Sequence, residues 1–229
     1  MNSQENLSRK IIMNYKRFKF IYPPRPEKKI SVSSLHIFND DEYIAQPKLN
    51  GSSMEVYTDG KHVITMNRHK EAMSHKLDVE ELRNLHKGRG WTVLCGEYMN
   101  KNQKNEKGEY WNIKFVIWDI LVLNGEHLLK STYLERIKLL RRTYFPSLNP
   151  NNWPSIDTPL RGISENCFMA ESYPPQENFT TLYDYITQFQ MYEGLVLKRI
   201  DGKLENGLSA NNNSRTQIKC RKATKNYAF

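Results

Sequence analysis

The sequence predicts an α+β fold. Three observations predict it: strand-like runs paired around turn dipeptides, amphipathic stretches of helical period between them, and enough apolar side chain to bury both. Of 229 residues, 38% are hydrophobic and 11% aromatic, a supply that argues against intrinsic disorder and suits one large domain with or without an appendage. The first strand signals, Ser53 to Thr58 and Lys61 to Met66, flank Asp59-Gly60, and Phe115 to Leu123 precedes Asn124-Gly125. Both dipeptides tolerate the positive φ of a two-residue hairpin turn. Asp78-x-x-Glu81 has the form of a capping box ahead of Leu82 and Leu85, with Gly88 as the stop. Ser131 to Tyr144 carries Leu134, Ile137 and Leu140 on one helical face, and Thr180 to Phe189 is a shorter helix. The stretch from Asn149 to Pro175, rich in Pro, Asn and Ser, reads as loop with a short strand at Cys167 to Ala170.

Ahead of these elements, residues 7 to 20 read as a basic helix or extended arm, stopped by Pro23-Pro24-Arg25-Pro26. The expected division is a basic arm over 1–30 and one domain over 31–229. Lys and Arg number 34 against 25 Asp and Glu, a net charge of +9, which favours association with polyanions. In the arm, Arg9, Lys10, Lys16, Arg17, Lys19, Arg25, Lys28 and Lys29 are interleaved with Tyr15, Phe18, Phe20 and Tyr22. Cations suit phosphates and aromatic faces suit unstacked bases; the same pattern also fits a helix packed on the body. No apolar run approaches the roughly 18 residues of a membrane span, and the polar Met1 to Lys10 lacks a secretory core. An intracellular protein without membrane association is expected. Cys95, Cys167 and Cys220 are odd in number and widely spaced, which predicts reduced, buried thiols. His62, His69, His75 and His86 have no metal-ligand spacing, and His69 beside Arg68 reads as a surface residue before one that approaches the cleft.

One ordered set of short motifs carries the chemistry. Lys48-Leu49-Asn50-Gly51 follows a strand-like Tyr43 to Ala45. Asn67-Arg68, Cys95-Gly96-Glu97, Phe115-Val116-Ile117-Trp118-Asp119, Glu193-Gly194-Leu195-Val196-Leu197-Lys198 and Ile218-Lys219-Cys220-Arg221 follow it in turn. Lys-x-x-Gly alone is uninformative; the order of the set is what counts.

From about Tyr43 to Arg221 the chain resembles the covalent nucleotidyltransferase superfamily of ATP-dependent DNA and RNA ligases and mRNA capping guanylyltransferases. The resemblance implies two antiparallel β-sheets with a nucleotide cleft between them and flanking helices, a nucleotidyltransferase or ATP-grasp-like architecture. It makes Lys48 the nucleophile that carries the nucleotide, with Arg68, Lys219 and Arg221 as catalytic cations. Gln46, Arg68, Glu97, Trp118, Glu193, Lys198, Lys219 and Arg221 would bind the nucleotide beside Lys48: Trp118 by stacking on the purine, Glu97 at a ribose hydroxyl and Gln46 at the purine's amino edge. Glu193, with Glu97, would hold Mg2+ or Mn2+. The string beginning at Glu193 looks like a ligase, since capping enzymes usually open that motif with Asp. Asn50 stands where most members carry Asp, and Ser53 where DNA ligases and capping enzymes commonly carry Arg, which favours an RNA-ligase-like identity. Only eight residues follow Arg221, so no C-terminal oligonucleotide-binding (OB) domain is expected.

The residue types fit such a reaction. An attacking lysine must be unprotonated although its free pKa is about 10.4, and neighbouring cations such as Lys219 and Arg221 disfavour its charge. Residues two apart on a strand share a face, so Lys219 and Arg221 can reach one phosphate while Cys220 points into the sheet. Trp118 and Asp119 point to opposite faces by the same rule. The expected activity is ATP-dependent joining of 5′-phosphate and 3′-hydroxyl ends of nucleic acid, RNA before DNA, through lysyl-AMP. The alternatives are a capping guanylyltransferase and a catalytically impaired nucleic-acid-binding module.

Overall fold

The computed structural model describes residues 22–149, 151–174, 178–204 and 213–223. Residues 1–21, most of the expected arm, lie outside the described residues, and residues 25–30 of that segment are a strand of the body.

Thirteen strands are described: β1 (Arg25–Ile30), β2 (Tyr43–Leu49), β3 (Ser52–Thr58), β4 (Val63–Asn67), β5 (Thr92–Met99), β6 (Gln103–Lys104), β7 (Tyr110–Trp111), β8 (Lys114–Leu123), β9 (Glu126–His127), β10 (Leu160–Gly162), β11 (Cys167–Ala170), β12 (Tyr192–Arg199) and β13 (Asn213–Arg221). The helices are a 3-10 turn over Val32–Phe38, α1 (Val79–Arg83), α2 (Tyr133–Tyr144) and α3 (Phe179–Ile186). One sheet has the order β1-β13-β12-β2; a larger one runs β10-β11-β8-β5-β3-β4, with β9 beside β8, and β6-β7 form a separate ribbon. The mixed α+β class is as expected. The strands are not all antiparallel: β1 pairs parallel with β13, and β11 parallel with β8. Hairpin signals reveal neighbours in sequence, which are antiparallel. They are silent about partners separated by most of the chain.

The second hairpin turns as predicted, with Asn124 at φ 54° and Gly125 at φ 76° between the paired Leu123 and Glu126. The first opens wider. Its strands end at Thr58 and resume at Val63, because Asp59 Oδ1 accepts from the backbone N–H of both Lys61 and His62 and so organises a longer loop.

Asp78 caps α1 by accepting from Glu80 N, but no capping box forms. Glu81 instead accepts from Ser164 Oγ and from the backbone and side-chain nitrogens of Asn166, tying the helix to the loop before β11. The box appears on α2, where Thr132 and Glu135 satisfy each other's backbone donors. The buried side of α2 carries Tyr133, Arg136, Ile137, Leu140 and Arg141, with Leu134 only partly buried. Both arginines are there because carboxylates wait beneath the helix. Arg136 forms two 2.9 Å bonds to Asp119, and Arg141 lies 3.9 Å from Glu171.

One core group backs the smaller sheet with Leu35, Leu195, Leu197 and the α3 residues Phe179, Leu182 and Ile186; another joins α1 and α2 to the larger sheet. All three cysteines are buried and free, as expected. Among the described residues, no helix is long and apolar enough to cross a membrane.

Candidate active site

The chain passes from the smaller sheet to the larger in two residues, Asn50 and Gly51, between β2 and β3. Three bonds hold this crossing. Asn50 N donates to Met191 O at 2.9 Å, Gln103 Nε2 donates to Asn50 O at 2.6 Å, and Lys101 Nζ donates to Asn50 Oδ1 at 3.3 Å. Gly51 then donates its N–H to Glu97 Oε1 at 3.0 Å. A Cβ at position 51 would lie 2.5 Å from Tyr98 O, so glycine is what lets β2 and β5 approach. The result brings Lys48, near the end of β2, toward Glu97 on the other sheet.

A second irregularity faces it. Tyr192 pairs with Leu49 and Gly194 with Lys48, leaving Glu193 as an extra residue on β12. Gly194 sits at φ 141°, and a Cβ there would lie 2.0 Å from Cys220 O. The bulge turns Glu193 toward the lysine: Lys48 Nζ donates to Glu193 Oε2 at 2.6 Å, and Arg221 Nη2 donates to the same oxygen. On β13, Lys219 and Arg221 share one face while Cys220 is buried in the core, as the period-two reading requires.

These groups line a cavity of about 750 Å³ walled by strands of both sheets. Gln46, Lys48, Arg68, Glu97, Trp118, Glu193, Lys198, Lys219 and Arg221 all line it, so every site residue expected from the sequence meets in one hollow. Arg68 stands exposed at its mouth. His69, read as a surface residue, is exposed there too, and accepts from Arg68 Nε at 3.0 Å. Asp119 faces away from the cavity into its pair with Arg136. Sequence reading missed Gln217 and placed Arg25 in the basic arm, not in this wall. Gln217 could have been found, being two before Lys219 on the same strand face; Arg25 could not, because its wall is formed by a non-local strand pair.

Gln46 is buried, and its Nε2 donates to Ser172 Oγ at 3.1 Å, Trp118 O at 3.3 Å and Ala170 O at 3.5 Å. Two of these are carbonyls, which only accept, so the orientation of the amide is fixed. Gln46 Oε1 is left buried without a partner.

The titratable groups are perturbed in different directions. Burial pushes the Glu97 carboxyl up to about 7, with Lys48 pulling the other way. Glu193 ends below its usual range: burial raises it, but Lys48 and Arg221 together outweigh that. Burial pushes the Lys198 ammonium down to about 8 against the opposing pull of Asp119, and it lies 4.7 Å from the centre of the Tyr133 ring. Lys219 is lowered by burial and then by Lys29, Arg221, Lys48 and Arg25.

Among the described residues, no group of three or more His, Cys, Asp or Glu converges to hold a metal by protein ligands alone. Glu97 and Glu193 nevertheless share the cavity, and the Glu193 charge adds to the cost of ionising Glu97. Mg2+ is commonly held by one or two carboxylates with substrate phosphates and water, and this pair fits that mode.

Neither a scan of protein-family models nor a search of curated proteins finds a match. Solved structures do match. The ligase domain of LigD from M. tuberculosis is 18% identical with a TM-score of 0.56, over 89% of this chain and 60% of that one. Mycobacterial DNA ligase D complexed with ATP and MES is 17% identical at 0.55, over 89% and 61%. The structure named Pmar-Lig_PreS3 is 14% identical at 0.57, over 93% and 50%. This chain therefore spans about half to three fifths of their length. At such identities the likeness shows the fold: it is the mixed α+β fold of these ligase domains.

Proposed function

We propose that this chain is the adenylyltransferase part of an ATP-dependent polynucleotide ligase, joining 5′-phosphate and 3′-hydroxyl ends through lysyl-AMP. The observation that carries the reading is the convergence of Lys48, Glu97, Glu193, Lys219 and Arg221 on one cavity whose volume suits a nucleotide.

In the first step Lys48 Nζ attacks the α-phosphorus of ATP. An N–P bond forms, the P–O bond to the β-phosphate breaks, and pyrophosphate leaves as the amine gives up its proton. Lys219 and Arg221 hold the α-phosphate oxygens, where charge develops. Trp118 stacks on the base, Glu97 accepts from the ribose, and Glu193 orients the amine it already contacts. Glu97 and Glu193 would hold the Mg2+ or Mn2+ that accompanies ATP, and such an ion supplies neutralisation of polyphosphate charge. A 5′-phosphate oxygen of the strand then attacks the same phosphorus and breaks the N–P bond. Finally the 3′-hydroxyl attacks the strand's phosphorus, loses its proton and expels AMP.

The partnerless Gln46 Oε1 favours ATP over GTP, since adenine offers an amino donor where guanine offers a carbonyl. This argues against the capping alternative. The preference for RNA rests on Asn50 and Ser53; one of the similar structures is named as a DNA ligase.

Incubation with α-labelled ATP and Mg2+ should label the protein, and Lys48→Ala should abolish the label. Excess unlabelled GTP should compete poorly, and matched nicked RNA and DNA duplexes rank the strands. Failure to form an adduct with any nucleotide sinks the proposal.

A further inference from the structure

The two sheets are joined a second time, further back along β2 than the crossing at Asn50. Beyond β11, Tyr173 exchanges two backbone hydrogen bonds of 2.9 Å with Ala45 in an antiparallel bridge. Gln46 and Ser172 are the next opposed residues of that bridge, which sets their side chains beside one another. Ser172 is buried and does not itself line the cavity. Its hydroxyl lies between two partners: it accepts from Gln46 Nε2 at 3.1 Å and shares a 3.2 Å hydrogen bond with the buried Tyr133 hydroxyl of α2.

The distances separate the three acceptors around Gln46 Nε2. The carbonyl oxygens of Trp118 and Ala170 stand at 3.3 and 3.5 Å, beyond the roughly 2.7–3.2 Å of a well-formed N–H···O bond. Of the three, the serine contact alone falls inside that range. The carbonyls reject a reversed amide, because oxygen would face oxygen, but they hold the accepted orientation loosely. Ser172 supplies the close contact, and Tyr133 anchors the serine hydroxyl from the helix side. With Nε2 committed in this way, Oε1 is the end of the amide left without a partner.

We infer that Ser172, backed by Tyr133, is a positioning residue that holds the Gln46 amide with its unpartnered acceptor available to the purine's amino group, and so sets the choice of base. It acts through Gln46, and the inference rests on the reading that this cavity takes an adenine nucleotide. A serine that served only the packing would alter stability and leave the choice of base as it was.

Equilibrium binding of AMP and of IMP to the full chain, followed by calorimetry, tests it. The two share ribose and phosphate and differ along the base edge, where AMP offers an amino donor and IMP a carbonyl, so the ratio of affinities isolates that edge. The parent should favour AMP. Ser172→Ala should cut the preference by about fivefold or more, as for one lost hydrogen bond to a buried amide. Ser172→Thr keeps the hydroxyl and should retain most of the preference, and Tyr133→Phe should lose part of it. Thr143→Ala removes an α2 hydroxyl that bonds Leu139 O away from the cavity and should leave the ratio at the parent value. An unchanged ratio in Ser172→Ala overturns the inference, as does an equal fall in Thr143→Ala. If the alanine variant fails to fold, Tyr133→Phe decides, and a parent-like ratio there overturns it. In adduct formation from labelled ATP, Ser172→Ala should raise the half-saturating ATP concentration more than it lowers the maximal rate; the reverse pattern overturns the assignment to base choice. Should the parent discriminate AMP from IMP yet form no adduct, the ligase reading fails and the positioning role stands on the binding ratio. Should the parent fail to favour AMP, the role of Gln46 at the base and this inference fall together, while adduct formation still decides the ligase reading.

Discussion

Gln46 carries an acceptor that the fold leaves buried without a partner, an arrangement that usually costs about 1–3 kcal/mol. A donor on the base would recover that cost. Gln46→Leu should therefore reduce the preference for ATP over GTP in adduct formation by about tenfold or more, read by competition labelling; an unchanged preference removes Gln46 from base recognition. Glu55 is a second residue whose role only burial reveals. Its carboxyl is 1% exposed, and burial pushes its pKa from 4.5 up to about 8 even though the Tyr57 hydroxyl donates to it. The folded chain therefore holds this proton after the unfolded chain has lost it. Its contribution to stability is fully present below about 4.5 and is lost as pH rises to about 8. Denaturant melts of parent and Glu55→Gln, whose amide stays neutral throughout, should show the parent losing ground to the variant across that window. Parallel curves would contradict the assignment.

The elements that build the site do so by departing from regularity. β12 presents Glu193 to Lys48 only because of its bulge, and the bulge needs Gly194, where a Cβ would collide with Cys220 O. Gly194→Ala should cost at least about 1–3 kcal/mol through strain and overpacking. It should also slow adduct formation more than it lowers the melting temperature would explain, since Glu193 is displaced. Retention of full labelling would show the bulge to be dispensable. Behind the cavity, α2 is pinned to β8 by the buried Asp119–Arg136 pair, with Arg136 Nη1 also donating to Ser131 O and Gly202 O. Asp119→Ala strands a buried guanidinium and should destabilise by about 3–5 kcal/mol. Replacing both partners, as Asp119→Leu with Arg136→Met, should cost clearly less by chemical melts. An equally large loss in the double variant would mean that the backbone bonds of Arg136, rather than the ion pair, hold the helix.

Over the whole molecule, two sheets meet along a cavity whose charged lining residues, among those described, are mainly cationic, in a chain of net charge +9. Nucleic-acid binding should accordingly weaken steeply as salt rises, because counterions released on binding must be recaptured. Equilibrium binding to a nicked duplex across a salt series measures this, and a flat response would disconnect the charge from strand binding. Much of this architecture was legible in advance. The Asn124-Gly125 hairpin and the period of α2 are local signals, and the order of motifs from Lys48 to Arg221 announced a set of side chains that do share one cavity. Illegible were the capping partner of α1, the longer Asp59 loop, the buried arginines of α2 and the seat of Arg25. Each depends on a group distant in sequence or on competition among nearby hydrogen bonds. What the sequence alone determined was which chemistry-bearing side chains exist and which faces of their strands they occupy, because alternation along a strand is a property of the backbone. Only the tertiary structure decided that β1 closes beside β13, that Glu193 bulges onto Lys48 and that Gln46 keeps an unused acceptor. Those outcomes follow from which distant segments pack together, and burial, not residue type, sets the cost of each charge and polar atom enclosed there.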